Sequence, residues 1–219
     1  MKSILIQKRI LQSNTDFAEK NRKLLKAKGI VTVNIFGSPG SGKTSILEKI
    51  IENMKDKISI AVIEGDLYTT KDGERIEGQG IPVVQINTCG ACHLDAAMIE
   101  KSIQTLKIDD LDLIFIENIG NLVCPASYDL GEDRRITVLS IAEGNDKPLK
   151  YPFIFQQSEA VVLNKMDIIK FTDFNLNEFY EDIYSLNKDI KVFLVSARDG
   201  DGIEELCNYF TEKVGNISR

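Results

Sequence analysis

The chain has 219 residues, 43% of them apolar and 27% charged, which suits one domain with a full hydrophobic core. Its net charge of −6 argues against nucleic acid as the main partner, and no segment approaches the roughly 18 unbroken apolar residues of a membrane span. The N-terminus lacks the long apolar stretch of a signal peptide, and four cysteines then fit a reducing compartment, with the cytoplasm as the expected location.

Along the chain, Asn14-Thr15-Asp16 is expected to cap a helix running to about Lys28, with Phe17, Leu24 and Leu25 facing inward. Residues 30–36 are β-branched and aromatic and read as a strand. Next comes Gly37-Ser38-Pro39-Gly40-Ser41-Gly42-Lys43-Thr44, and then Ser45 in a helix over 43–54 whose apolar residues recur at helical spacing. Strand, glycine loop and helix point free backbone N–H groups at a polyphosphate. Lys43 is placed to reach the β- and γ-phosphates and the Thr44 hydroxyl to bind Mg²⁺.

A strand over 58–64 leads to Asp66, where a carboxylate can hold Mg²⁺ or orient the attacking water. Asp72, Glu74 and Arg75, in a helix over 72–79, read as a solvated charged face. After a strand at 82–86 comes Asn-Thr-Cys89-Gly-Ala-Cys92-His93-Leu-Asp, then a helix over 94–106. A strand over 111–117 ends at Glu117, a second carboxylate for Mg²⁺, and Gly120 follows, free to donate its N–H to a γ-phosphate. Cys124 lies in the next loop. Thiolate and imidazole suit Zn²⁺ or Ni²⁺. On spacing alone, Cys92, His93 and Cys124, with Cys89 as a possible fourth, compete with a redox pair and with small buried hydrophobes. Cys207 reads as core.

Strands are expected at 136–141, 159–164 and 191–195, and helices at 174–186 and 202–214. Asn164-Lys165-Met166-Asp167 therefore stands at a strand's carboxyl end, where open α/β sheets bind ligands. The Asp167 carboxylate can accept from the guanine N1–H and exocyclic amine, a pairing that adenine cannot offer. Asn164 can bond the base's other edge, the Lys165 stem can cover its face, and the Ser196-Ala197 turn can offer an N–H to the guanine O6. The fold expected is α/β: a mostly parallel sheet with helices on both faces, of the P-loop NTPase type.

The runs Glu64-Gly-Asp66, Cys92-His93-Leu-Asp-Ala, Glu117-Asn-Ile-Gly-Asn-Leu-Val-Cys124-Pro-Ala, Lys147-Pro-Leu-Lys-Tyr-Pro and Asn164-Lys-Met-Asp together resemble the HypB family, from about residue 15 onward. The resemblance implies a SIMIBI-class GTPase that assists nickel insertion into nickel–iron hydrogenase. It implies a GTP-dependent homodimer, with a metal site at its interface from Cys92, His93 and Cys124. It also implies a HypA-type nickel chaperone and the hydrogenase large-subunit precursor as partners. Residues 1–29 would form a helical extension and 30–219 the GTPase domain with embedded metal-binding loops. No N-terminal cysteine motif or histidine-rich stretch is present, so nickel storage is not expected, and Cys89 stands where many relatives carry glycine. A urease-type or other metal-centre accessory GTPase, a P-loop small-molecule kinase and a regulatory GTPase with structural zinc are the competing readings.

Overall fold

The computed structural model describes residues 6–215, with side chains from residue 12 onward. Its elements run α1 (Ile6–Ala27), β1 (Val31–Gly37), α2 (Lys43–Met54), β2 (Ile60–Asp66), α3 (Lys71–Glu77), β3 (Val83–Asn87), α4 (Ala96–Thr105), β4 (Leu113–Glu117), β5 (Arg134–Ser140), α5 (Lys147–Lys150), α6 (Pro152–Gln157), β6 (Ala160–Asn164), α7 (Leu176–Leu186), β7 (Lys191–Leu194) and α8 (Ile203–Gly215). The strands form one sheet in the order β3-β2-β4-β1-β5-β6-β7, and every strand pairing in it is parallel. The expected sheet was mostly parallel; the described one is wholly so.

Alternation along β1 sets up the two faces. Val31, Val33 and Ile35 join one cluster with Ile46, Leu47 and Ile50 of α2, Ile76 of α3 and Leu206 and Phe210 of α8. The opposite face is divided. Phe36 packs with Phe155 of α6 and Phe179 and Ile183 of α7, whereas Ile30, Ile63 and Ile116 pack with Leu25 of α1 and Ile99 and Ile103 of α4. Asn34 lies on β1 between these halves, buried. It donates to the Glu132 carboxylate (3.2 Å) and accepts from the Asn118 amide (3.2 Å); the Arg135 guanidinium donates to Glu132 in turn (2.7 Å). Each amide in this polar seam has a partner, which is what makes its burial tolerable.

Two expectations about α1 fail. The helix passes through Asn14-Thr15-Asp16 instead of starting there. Its buried face is Asn14, Ala18, Asn21 and Leu25, and Leu24 points outward at 40% exposure. Half of that face is polar, so hydrophobic periodicity did not reveal it. Asn14 does cap a helix, but a different one: its Oδ1 accepts from the first N–H of α4, at Ala96 (2.8 Å). The short helices α5 and α6 were also not foreseen. Both carry proline in their first turn, where the missing N–H costs nothing, so residues that read as breakers act as starters.

Candidate nucleotide and metal site

The phosphate loop joins the carboxyl end of β1 to α2. A Cβ on Gly37 would sit 2.5 Å from the Val138 carbonyl oxygen, and one on Gly42 would sit 2.3 Å from the Asn164 amide. Gly42 also has φ +96°, so no other residue serves there without strain. Lys43 is buried and folded back on the loop, its ammonium 3.4 Å from the Ser38 carbonyl. Ser38 donates to the Glu143 carboxylate, which also accepts from the Ser140 N–H in a capping box. Gly120 stands against Pro39 across the loop, where a Cβ would approach to 3.0 Å.

Beneath the loop, Glu64 and Glu117 are register partners on β2 and β4. Both are buried, and each has one carboxylate oxygen without a hydrogen-bond partner among the described residues. Burial pushes the Glu64 carboxyl up to about 8, helped by repulsion from Glu117, Asp66 and Asp72 and opposed by Lys43. Burial likewise pushes Glu117 up to about 7, against the pull of the Lys43 ammonium and the hydrogen bond donated by the Thr44 hydroxyl (2.8 Å). For Asp66, burial is outweighed by hydrogen bonds from the Thr69 and Tyr68 backbone, and its carboxyl is held below the ordinary range. Oxygens of Glu64, Asp66 and Asp72 all lie within 4.8 Å of one another. Crowded carboxylates, a hydroxyl and orphaned buried acceptors are the hard ligands that Mg²⁺ satisfies, so the residues present fit that ion.

These groups line a cavity of about 510 Å³ together with Gly40, Lys43, Thr44, Gly120 and Arg75. Asp72 and Arg75, expected to be merely solvated, belong to its wall. Arg75 crosses from α3 to the Glu48 carboxylate (2.5 Å) and the Ser45 hydroxyl (3.2 Å) on α2, while also pairing with Asp72. Glu64 is the main functional candidate that the sequence reading left unassigned. The available signal was a carboxylate at the end of an otherwise apolar strand.

A second cavity of about 380 Å³ shares Gly42, Ser45 and Lys165 with the first and adds Asn164, Asp167 and Ala197. Asp167 accepts from the Ser196 hydroxyl (3.1 Å) and keeps its other oxygen available. Lys165 adopts φ +67° and its ammonium bonds the Gly40 carbonyl (2.8 Å), which lays its stem along the wall between the cavities. Asn164 also has partners within the protein. It is buried, donates to the Ser41 carbonyl (3.0 Å) and accepts from the Ala197 N–H (3.1 Å). Each end of its amide thus has one protein partner and retains a second hydrogen or lone pair, while the Ala197 N–H, in the turn expected to face the guanine O6, is engaged by Asn164. Asn164 ties the phosphate loop to the turn after β7.

The cysteine loops lie on the α1–α4 side of the sheet's carboxyl edge. The Asn121 amide donates to the Cys92 carbonyl (3.4 Å), so the two loops meet in a single chain, and the neighbouring Cys124 together with burial raises the Cys92 thiol. Cys92 Sγ is 3.9 Å from His93 Nδ1, and the His93 ring stacks on Tyr128 with centroids 3.8 Å apart. Burial lowers the His93 pKa, favouring the neutral imidazole that binds metals. Among the described residues, Cys92, His93 and Cys124 do not converge as tightly as the three carboxylates. Cys89 is exposed, with φ +51°, in the left-handed region that favours glycine. Cys207 lies in the core between α8 and the sheet, its thiol pushed up to about 11 by burial. No helix is long and apolar enough to cross a membrane among the described residues.

Residues 31–194 match the family model for the CobW/HypB/UreG nucleotide-binding domain. The chain is 42% identical over 200 residues to the hydrogenase maturation factor HypB of Escherichia coli K12, covering 91% of this chain and 69% of that one. It is 40% identical to the hydrogenase/urease maturation factor HypB of Helicobacter hepaticus, covering 97% and 88% respectively. The crystal structure of HypB from Helicobacter pylori in complex with nickel superposes with a TM-score of 0.89 at 38% identity, covering 93% of this chain and 96% of that one.

Proposed function

The chain belongs to the CobW/HypB/UreG nucleotide-binding family and, within it, to the HypB hydrogenase maturation factors, and on that footing we propose that it is a GTP-hydrolysing metallochaperone for nickel insertion into nickel–iron hydrogenase. The observation that carries the reading is the pair of adjoining cavities. One is lined by a phosphate loop, Lys43 and orphaned carboxylates; the other is lined by Asp167. Together they suit a guanine nucleotide with its phosphates under the loop and its base against Asp167.

In this reading the backbone of residues 37–45 and the Lys43 ammonium hold the phosphates, and Gly120 meets the γ-phosphate. Thr44, Asp66 and Glu117 would hold Mg²⁺, with Glu64 and Asp72 beside them; bound there, the ion neutralises charge on the phosphate oxygens. Asp66, already fixed by its own loop, positions the attacking water. Asp167 selects guanine by accepting from its donors. Cys92, His93 and Cys124 take the Ni²⁺ or Zn²⁺ cargo, and two copies of the chain complete the coordination across a homodimer that GTP favours. The meeting of the Cys92 and Cys124 loops through Asn121 supports a site built from both. The HypA-type chaperone and the hydrogenase large-subunit precursor follow as partners, in the cytoplasm, from the family.

The test is sedimentation of the full chain with GDP or a non-hydrolysable GTP analogue, with and without Ni²⁺, alongside calorimetry of GTP and ATP. A GTP-dependent dimer whose equilibrium shifts with Ni²⁺ is expected, because effector and cargo affinities are linked in both directions. ATP binding as tightly as GTP, or a monomer under all conditions, would overturn the reading.

A further inference from the structure

Two buried asparagines of α1 each grip both of the segments that carry the cysteine and histidine ligands. Asn14 accepts from the Ala96 N–H (2.8 Å) and donates to the Asp129 carbonyl (2.8 Å). Asn21 donates to the Ala96 carbonyl (2.8 Å) and to the Leu130 carbonyl (3.0 Å). Ala96 follows His93 closely, with Leu94 fully buried between them. Asp129 and Leu130 follow Cys124 through the single turn Pro125–Ser127, and Tyr128 at its end stacks on His93. Arg22, next to Asn21, adds two bonds to the Asp129 carboxylate (2.6 and 2.8 Å). His93 and Asn14 also line one cavity of about 340 Å³.

A helix that only needed to dock would bury leucine at these places. Burying two amides is tolerable only because both nitrogens and the Asn14 oxygen are hydrogen-bonded, and such networks fix one geometry where hydrocarbon would permit several. From this juxtaposition we infer that Asn14 and Asn21 are positioning residues for the metal site: they set the separation of the Cys92-His93 segment from the Cys124 segment. The inference rests on the metal reading above and adds a determinant outside the ligand loops. It also makes α1 a lever, since a displacement of this helix moves both halves of the ligand set together.

The test uses the full chain carrying Asn14→Leu and Asn21→Leu, singly and together, titrated with Ni²⁺ and followed by thiolate-to-nickel charge-transfer absorption. Leu25→Ala, on the same buried face and packed in the apolar cluster, is the control for general destabilisation, with thermal melts for every variant. The double variant is expected to lose about 10–100-fold in Ni²⁺ affinity, as for other outer-shell partners of metal ligands, and to shift the charge-transfer band. GDP affinity should stay at the wild-type value, and Leu25→Ala should keep the wild-type Ni²⁺ affinity and band. Wild-type affinity in the folded double variant, or an equal loss in Leu25→Ala, overturns the inference. Ni²⁺ affinity left untouched by Cys92→Ala and His93→Ala, with Asn14 and Asn21 intact, overturns the metal reading itself, a result separable from failure of the asparagines alone.

Discussion

Replacing Asn164 with alanine separates two roles that its motif can serve. The side chain is 2% exposed and joins the Ser41 carbonyl to the Ala197 N–H. Truncation strands both backbone groups in a buried place, at about 1–3 kcal/mol each, so the nucleotide-free protein should lose roughly 2–4 kcal/mol after some relaxation. For a chain of this size that corresponds to a fall in melting temperature of roughly 4–16 °C. Because the amide braces the phosphate loop against the turn after β7, affinity for GDP, IDP and XDP should all drop by a similar factor. Scanning fluorimetry measures the first effect and calorimetry with the three diphosphates the second. An unchanged melting temperature, whatever the loss in nucleotide affinity, would refute the bracing argument.

Asp167→Asn should invert the preference instead, weakening GDP and favouring XDP by about 2 kcal/mol or more in relative terms, since the amide can donate where the carboxylate accepted; competition binding that still ranks GDP first would remove Asp167 from the base site. Lys43→Ala should abolish GTP turnover, and Asp66→Ala should reduce turnover more than GDP affinity; wild-type hydrolysis by the latter, measured as phosphate release, removes Asp66 from the reaction. The raised Glu64 and Glu117 carboxyls give a pH signature. Their folded values of about 8 and about 7 exceed the ordinary 4.5, so the folded chain holds protons that the unfolded chain releases. Their contribution to stability is complete below about pH 4.5 and is lost as pH rises through about 7 to 8. Nucleotide-free protein should therefore melt lower at about pH 9 than at about pH 6, and Glu64→Gln should flatten that slope; an unaltered slope contradicts the assignment.

The phosphate loop, Asp66, Glu117 and Asp167 could be placed from sequence because each follows an apolar strand, and a parallel sheet delivers every such position to one edge. What escaped was decided by partners distant in the chain. Asn14 looked like a start signal for its own helix and instead caps α4, 82 positions away. Asn164 could be named as a base contact, but its bond to Ser41, 123 positions back, was not visible. Glu64 was visible as a residue, but its significance comes from standing beside Glu117 on the neighbouring strand, a register that no local pattern reports. Local rules state what an amide or carboxylate can do, and tertiary contacts choose among those options.

The polar seam at Asn34 has a bearing on how this sheet can deform. Apolar burial is non-directional, whereas a hydrogen bond weakens steeply once its angle is lost. The chain Asn118–Asn34–Glu132–Arg135 therefore acts as a keyway between the α1–α4 half and the α6–α7 half of the second face. Shear along β1 would break several directional contacts at once, so shape change during a nucleotide cycle is channelled into the loops beyond the strand ends. The central strand should accordingly hold its amide protons longest, and Asn34→Leu should let them exchange sooner while the loops keep their wild-type rates.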